Sequence, residues 1–231
     1  ALLAALLVRD HPEDMGLHRD GAAEDPVLNN IGGVEAAPEW SARQAMLTKQ
    51  FLLIVVSGIA YATPWGVVIS HGPSHLKSIG FELETVVWLM GFVGIFSIGG
   101  RLAGMIGDWI APQIVLSIAL VLEGLGVAGF YFAHDKNVAL LCLLFVGAGF
   151  GAAYVSIPVV FSHFFGRKAF GTTAGARMLI TGIFNGLWPW VSGMIYDRTE
   201  SYFIPFMALT IISFAGAFTA AIARHPGDAP A

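Results

Sequence analysis

The sequence predicts an all-α, polytopic membrane bundle with six spanning helices, and three observations carry that prediction. The chain is 56% hydrophobic and only 12% charged, whereas a soluble domain carries roughly 25% charged residues. Its mean hydropathy is +0.71, and the few charges cluster between long apolar stretches, so lipid must face most of the exterior. A third observation is a signature that occurs twice, "GIFSIGGRLAGMIGD" at 94–108 and "GIFNGLWPWVSGMIYD" at 182–197.

Residues 1–8, "ALLAALLV", are too short to cross about 30 Å of hydrocarbon. They read as the end of a truncated transmembrane helix, since a signal peptide would need a basic leading region. Residues 9–49 hold charges and prolines without periodicity and read as a cytoplasmic loop, with one short amphipathic turn around "PEWSARQAMLTKQ". Apolar runs then recur at about 51–71, 86–106, 113–133, 138–161, 173–196 and 203–223, each long enough to span. They place a six-helix bundle at 50–224 and a cytoplasmic tail at 225–231. The runs are continuous, which excludes the dyad alternation of an outer-membrane barrel. Small residues four apart, Gly100/Gly104, Gly147/Gly151 and Gly182/Gly186, predict close helix interfaces.

Basic residues set the orientation. With 9–49 in the cytoplasm, that side carries Arg9, Arg19, Arg43, Lys49, Arg101, Arg167, Lys168 and Arg224, against Lys77, Lys136 and Arg198 outside. The expected location is therefore an inner or plasma membrane, crossed several times, with the C-terminus cytoplasmic. On this assignment the "GMIGD" and "GMIYD" helices end on opposite faces, three spans apart. A signature repeated after about 90 residues and upside down is the trace of a 3+3 inverted repeat, an arrangement associated with secondary transporters.

These residues carry a family resemblance. "GRLAGMIGD" resembles the loop motif between helices eight and nine of the major facilitator superfamily, "FFGRKAFGTTAG" through "WPWVSGMIYDRTESY" its eleventh-helix region, and "LLVRDHPEDMGL" the start of its central loop. Within that superfamily, "SHGPSHLKSIGF" followed by a "GR" helix is similar to the oxalate/formate antiporter and monocarboxylate transporter group. The resemblance implies helices seven to twelve of a twelve-helix carrier, a missing N-terminal six-helix half, and alternating access. It also implies a small organic anion, a mono- or dicarboxylate, moved by symport or antiport with a possible coupling proton. Gly104, Asp108, Gly193 and Asp197 fall on its gating motif, although Trp109, Ile110, Ala111 and Pro112 replace the basic cluster usual after the Asp.

Candidate site residues follow from the cost of polarity in lipid. Arg101 lies inside an apolar run, about two turns from its cytoplasmic end; it either snorkels or faces inward as an anion ligand, and Asp108 is placed to pair with it. Arg177, in the cytoplasmic third of its span, is either a helix-end cation or, by the resemblance, the basic residue that holds a substrate carboxylate. His71 and His75 are one turn apart, but Gly72 and Pro73 between them break the helix that metal chelation presumes. His71 is left as a pathway-lining or interfacial histidine. Glu123 is the deepest acid, either a proton relay or a packing carboxyl. Asn185, Tyr61 and Trp65 line a cavity or pack.

Other functions find no footing. The net charge of −4, without a basic stripe, gives nucleic acid no purchase. Cys142 is the single cysteine and sits in an apolar run, so neither a disulfide nor a cysteine metal cluster is expected. No metal or other cofactor is expected, and no catalytic motif occurs. Two further classes stay open: a non-transporting helical scaffold or assembly subunit, and a carrier of an unrelated small solute.

Overall fold

The computed structural model describes residues 40–104, 110–166 and 170–227. The readings placed on residues 1–39, Asp108, Arg167 and Lys168 lie outside the described residues. Among the described residues there are seven helices and no strand: α1 (Ala42–Met46), α2 (Lys49–Ser78), α3 (Leu83–Gly104), α4 (Pro112–Tyr131), α5 (Lys136–Phe165), α6 (Phe170–Thr199) and α7 (Phe203–Ile222). All but α1 are long and apolar enough to cross a membrane.

Local chemistry fixes where the helices begin and end. Thr48 caps α2 by accepting from the Phe51 N–H, and Asp135 caps α5 by accepting from Asn137 and Val138. Pro112 occupies the first turn of α4, where its missing N–H costs nothing. Gly80 and Gly166 adopt φ of 98° and 70° in the turns after α2 and α5, conformations that only glycine takes freely.

One expectation is corrected here. Gly72 and Pro73 do not interrupt the first span; α2 runs through them, and through Pro64, to Ser78. Pro158 and Pro189 lie likewise inside α5 and α6. Each proline removes one intrahelical bond, but leaving the helix within hydrocarbon would strip several backbone groups of partners, so the helix continues.

We call the side holding the starts of α2, α4 and α6 the near side and the opposite one the far side. Near-side contacts include Trp40 with Phe165 and Phe51 with Phe161, at 6.0 and 5.9 Å between ring centres. On the far side, Tyr131 Oη lies 3.3 Å from Ser201 Oγ, and His71 Nδ1 lies 3.4 Å from Tyr202 Oη. The span that carries Gly104 thus runs toward the near side, and the span that ends in Asp197 runs toward the far side.

The packing pattern carries the internal symmetry. The most extensive helix pairs are α3–α5, α4–α5, α4–α7, α2–α7 and α2–α6. Exchanging the trios α2–α3–α4 and α5–α6–α7 turns α3–α5 into α6–α2, turns α4–α5 into α7–α2, and returns α4–α7 to itself. Every major contact has its counterpart, as a 3+3 inverted repeat requires.

Glycine decides how close the helices come. A Cβ on Gly147 would fall 2.6 Å from the Val93 carbonyl oxygen, and one on Gly151 would fall 2.9 Å from the Ser97 carbonyl carbon. Gly100 and Gly104 complete this α3–α5 seam against Ala148, Ala152 and Val155. The expected Gly182/Gly186 interface does not form among the described residues, where a Cβ added at either position would meet no other part of the bundle within 4 Å. That face of α6 is open, and small-residue spacing alone cannot tell a seam from an open face.

Gly151→Ala should therefore destabilise the bundle by about 1–3 kcal/mol through overpacking, while Gly182→Ala should leave it as stable as before or slightly more so. Thermal denaturation in detergent, comparing the two variants, reads the difference; equal midpoints would remove the seam.

Candidate functional site

The candidate site is the side of the bundle away from α4 and α7, where α2, α3, α5 and α6 meet. Its least covered member is α6, with 11% of its most apolar stretch buried against 50% for α2, α4 and α5. Where α6 does pack, it packs on α2, and it does so with polar side chains.

Arg177 is 3% exposed, and among the described residues neither its Nε nor its Nη1 has a hydrogen-bond partner. Its guanidinium lies 5.7 Å from the centre of the Phe161 ring. Gly58 of α2 makes room for it: a methyl there would come within 2.9 Å of Thr181 Cγ2 and 3.6 Å of Arg177 Nη1. Arg177 is thus enclosed between helices rather than exposed at the bundle surface. Two turns further along the same face, half-buried Asn185 sits against Gly66 with its Oδ1 unpartnered. Ser192, fully buried, likewise has an unpartnered hydroxyl. A row of unpaired polar groups costs free energy in a dry seam, and a bound polar ligand would relieve it.

His71 closes the far end of the seam. Its Nε2 lies 2.8 Å from the Pro189 carbonyl oxygen. A carbonyl only accepts, so Nε2–H donates, and in the neutral ring Nδ1 accepts from the Tyr202 hydroxyl. A Cβ added at Gly193 would lie 3.6 Å from Cε1 of the same ring, while Asp197 is exposed one turn beyond. His75, 2% exposed, turns away from His71's partners on α6 into the rings of Phe130, Tyr131 and Phe206. Among the described residues no group of three metal-ligating side chains forms.

Arg101 is exposed and stands over the ring of Tyr154 at 4.8 Å. Among the described residues no carboxylate pairs with it, and Asp108, the proposed partner, lies outside them. Glu123 is elsewhere: fully buried on α4, with both carboxyl oxygens unpartnered, against Gly149 of α5, where an added methyl would meet Glu123 Cβ at 2.8 Å. The structure thus brings Arg177, Asn185 and His71 into one seam and Tyr61 beside it on α2. It leaves Arg101 on the neighbouring α3–α5 ridge and separates Glu123 from both. Phe150 and Tyr154 were missed by sequence reasoning, although two aromatic residues four apart in "GFGAAY" mark one helical face.

Comparison with known proteins bears on this arrangement. The family model described as Major Facilitator Superfamily matches residues 1–189. Monocarboxylate transporter 9 of Pongo abelii is 30% identical over 149 residues, which cover 63% of this chain and 29% of that protein. The chain thus matches under a third of the length of this curated relative.

Replacing Arg177 by methionine, an apolar side chain of similar length, should raise the thermal midpoint in detergent. It removes a buried, unpaired charged group whose isolation costs about 1–3 kcal/mol. A lowered midpoint would mean that the guanidinium is satisfied in the resting protein.

Proposed function

The chain belongs to the Major Facilitator Superfamily, a family of membrane transporters, and from that premise we propose that it forms the carboxylate-binding half of a secondary carrier for small organic anions. The observation that carries the reading is the enclosed guanidinium of Arg177, with two nitrogens unpaired in a seam between two helices. A guanidinium fork matches a carboxylate in two parallel hydrogen bonds, and an anion is the ligand that a buried cation without a counter-charge recruits most strongly. The printed name of the relative, a monocarboxylate transporter, points to the same ligand chemistry.

In this reading Arg177 holds the carboxylate, Arg101 attracts it from the open side, and Asn185 and Tyr61 orient the rest of the molecule. A further six helices, preceding these, supply the facing wall. Alternating access is rocking of the two halves about the site, and His71 ties α2 to α6 at the far end. The near side is cytoplasmic, as the basic residues require. Glu123 is the candidate carrier of a coupling proton, because it is an acid enclosed in a span whose carboxyl oxygens have no hydrogen-bond partner among the described residues, and ionisable groups within spans mark proton paths.

In proteoliposomes of the complete carrier, Arg177→Gln should reduce uptake of labelled carboxylate more than about tenfold, with Arg177→Lys recovering part of it, since a charged hydrogen bond is worth roughly 1.5–3 kcal/mol. Unchanged uptake by correctly inserted Arg177→Gln protein would discard the assignment. Glu123→Gln should abolish accumulation driven by a proton gradient and spare exchange of internal for external substrate. Accumulation that persists would return Glu123 to a packing role.

A further inference from the structure

Four aromatic rings form a continuous strip along the open groove between α2, α5 and α3. The Trp65 and Phe150 rings lie 3.9 Å apart and 10° from parallel. Tyr61 stacks on the same Phe150 at 5.5 Å and 28°, and Tyr154 follows at 6.2 Å. Arg101 stands over Tyr154 and ends the strip. Trp65, Tyr61 and Phe150 fall about midway along their thirty-residue helices, the depth at which carriers of inverted-repeat design hold substrate.

Packing accounts for the centre of this strip, where Phe150 is buried, but not for its outer rings. Elsewhere in the bundle, rings meet mainly edge to face, as His75 does with Phe130, Tyr202 and Phe206, although His75 with Tyr131 and Tyr196 with Tyr202 also stack. The outer members of the strip are not closed over: Tyr154 is 51% exposed, and Tyr61 and Trp65 are half-buried. Nor is the strip a lipid-facing surface. The Tyr61 and Tyr154 hydroxyls and the Trp65 N–H have no hydrogen bond among the described residues, and at mid-depth such groups, with a guanidinium beside them, belong on a water-filled path.

We infer that the carried anion has a flat, conjugated body, so that the carrier prefers aromatic carboxylates to saturated ones. On its way to Arg177 the carboxylate meets Arg101 over Tyr154, while the ring lies along the Trp65–Phe150–Tyr61 strip. Aromatic faces gain from offset stacking on one another, which a puckered saturated ring of equal size does not. This inference rests on the organic-anion reading above and adds the shape of the anion.

The test uses benzoate and cyclohexanecarboxylate, which share a charge and a ring size and differ in flatness. Each competes with a labelled carboxylate for uptake by the complete carrier in proteoliposomes. Benzoate should inhibit about tenfold more strongly, the ratio expected from one or two aromatic contacts. Trp65→Leu should bring the two acids level by weakening benzoate alone, and Tyr154→Leu, at an exposed position, should do so in part even if the Trp65 variant fails to insert. Equal inhibition by both acids in the parent protein, or inhibition by neither, would overturn the aromatic preference and leave the anion reading standing; absence of any labelled-carboxylate uptake would overturn both.

Discussion

Hydrocarbon neither hydrogen-bonds nor drives apolar helices together, and both properties shape this protein. The first keeps α2, α5 and α6 helical through four internal prolines, because a break would strand more backbone groups than the proline removes. The second means that adhesion must come from close approach. Glycines at 100, 147 and 151 bring the backbones of α3 and α5 into contact, and polar side chains bind the remaining helices, as when Ser117 Oγ donates to the Ala217 carbonyl at 2.9 Å. Such seams rest on van der Waals contact, which falls away over a fraction of an ångström.

Two kinds of seam therefore coexist. Between α3 and α5, glycine meets backbone along the seam itself. Between α2 and α6, glycines at 58 and 66 instead make room for Arg177, Thr181 and Asn185, and the polar atoms of Arg177 and Asn185 are incompletely paired among the described residues. The contrast locates the chemistry. A seam built for stability alone would pair its polar groups; on the proposed reading, leaving them open sacrifices some of that stability in exchange for a place where a solute binds.

Composition and run length made the number and type of the spans legible, because about twenty apolar residues have few alternatives. The inverted trios were legible from one repeated signature. Helix ends were less so: the α2 reading stopped near Pro73 by a rule that holds in water, where a broken helix can hydrate its backbone. Gly182 and Gly186 looked like an interface because spacing records what a helix permits, not what lies opposite. Arg177 stood out as a charge inside an apolar span, yet its enclosure by Gly58 and Phe161 joins residues more than a hundred positions apart and has no local trace. Phe150 and Tyr154 read as ordinary apolar content until α2 laid Trp65 on one of them.

The α4–α7 contact, which maps onto itself when the trios exchange, has its own consequence. It lies on the pseudo-two-fold axis, so equivalent patches of the two trios meet there, as they do in an isologous dimer. A change of shape in that one contact shifts both trios by matching amounts, whereas a change at α3–α5 or α2–α6 acts on one side alone. The axis pair is thus the natural fulcrum of the half, and asymmetry between its two membrane faces has to originate off the axis.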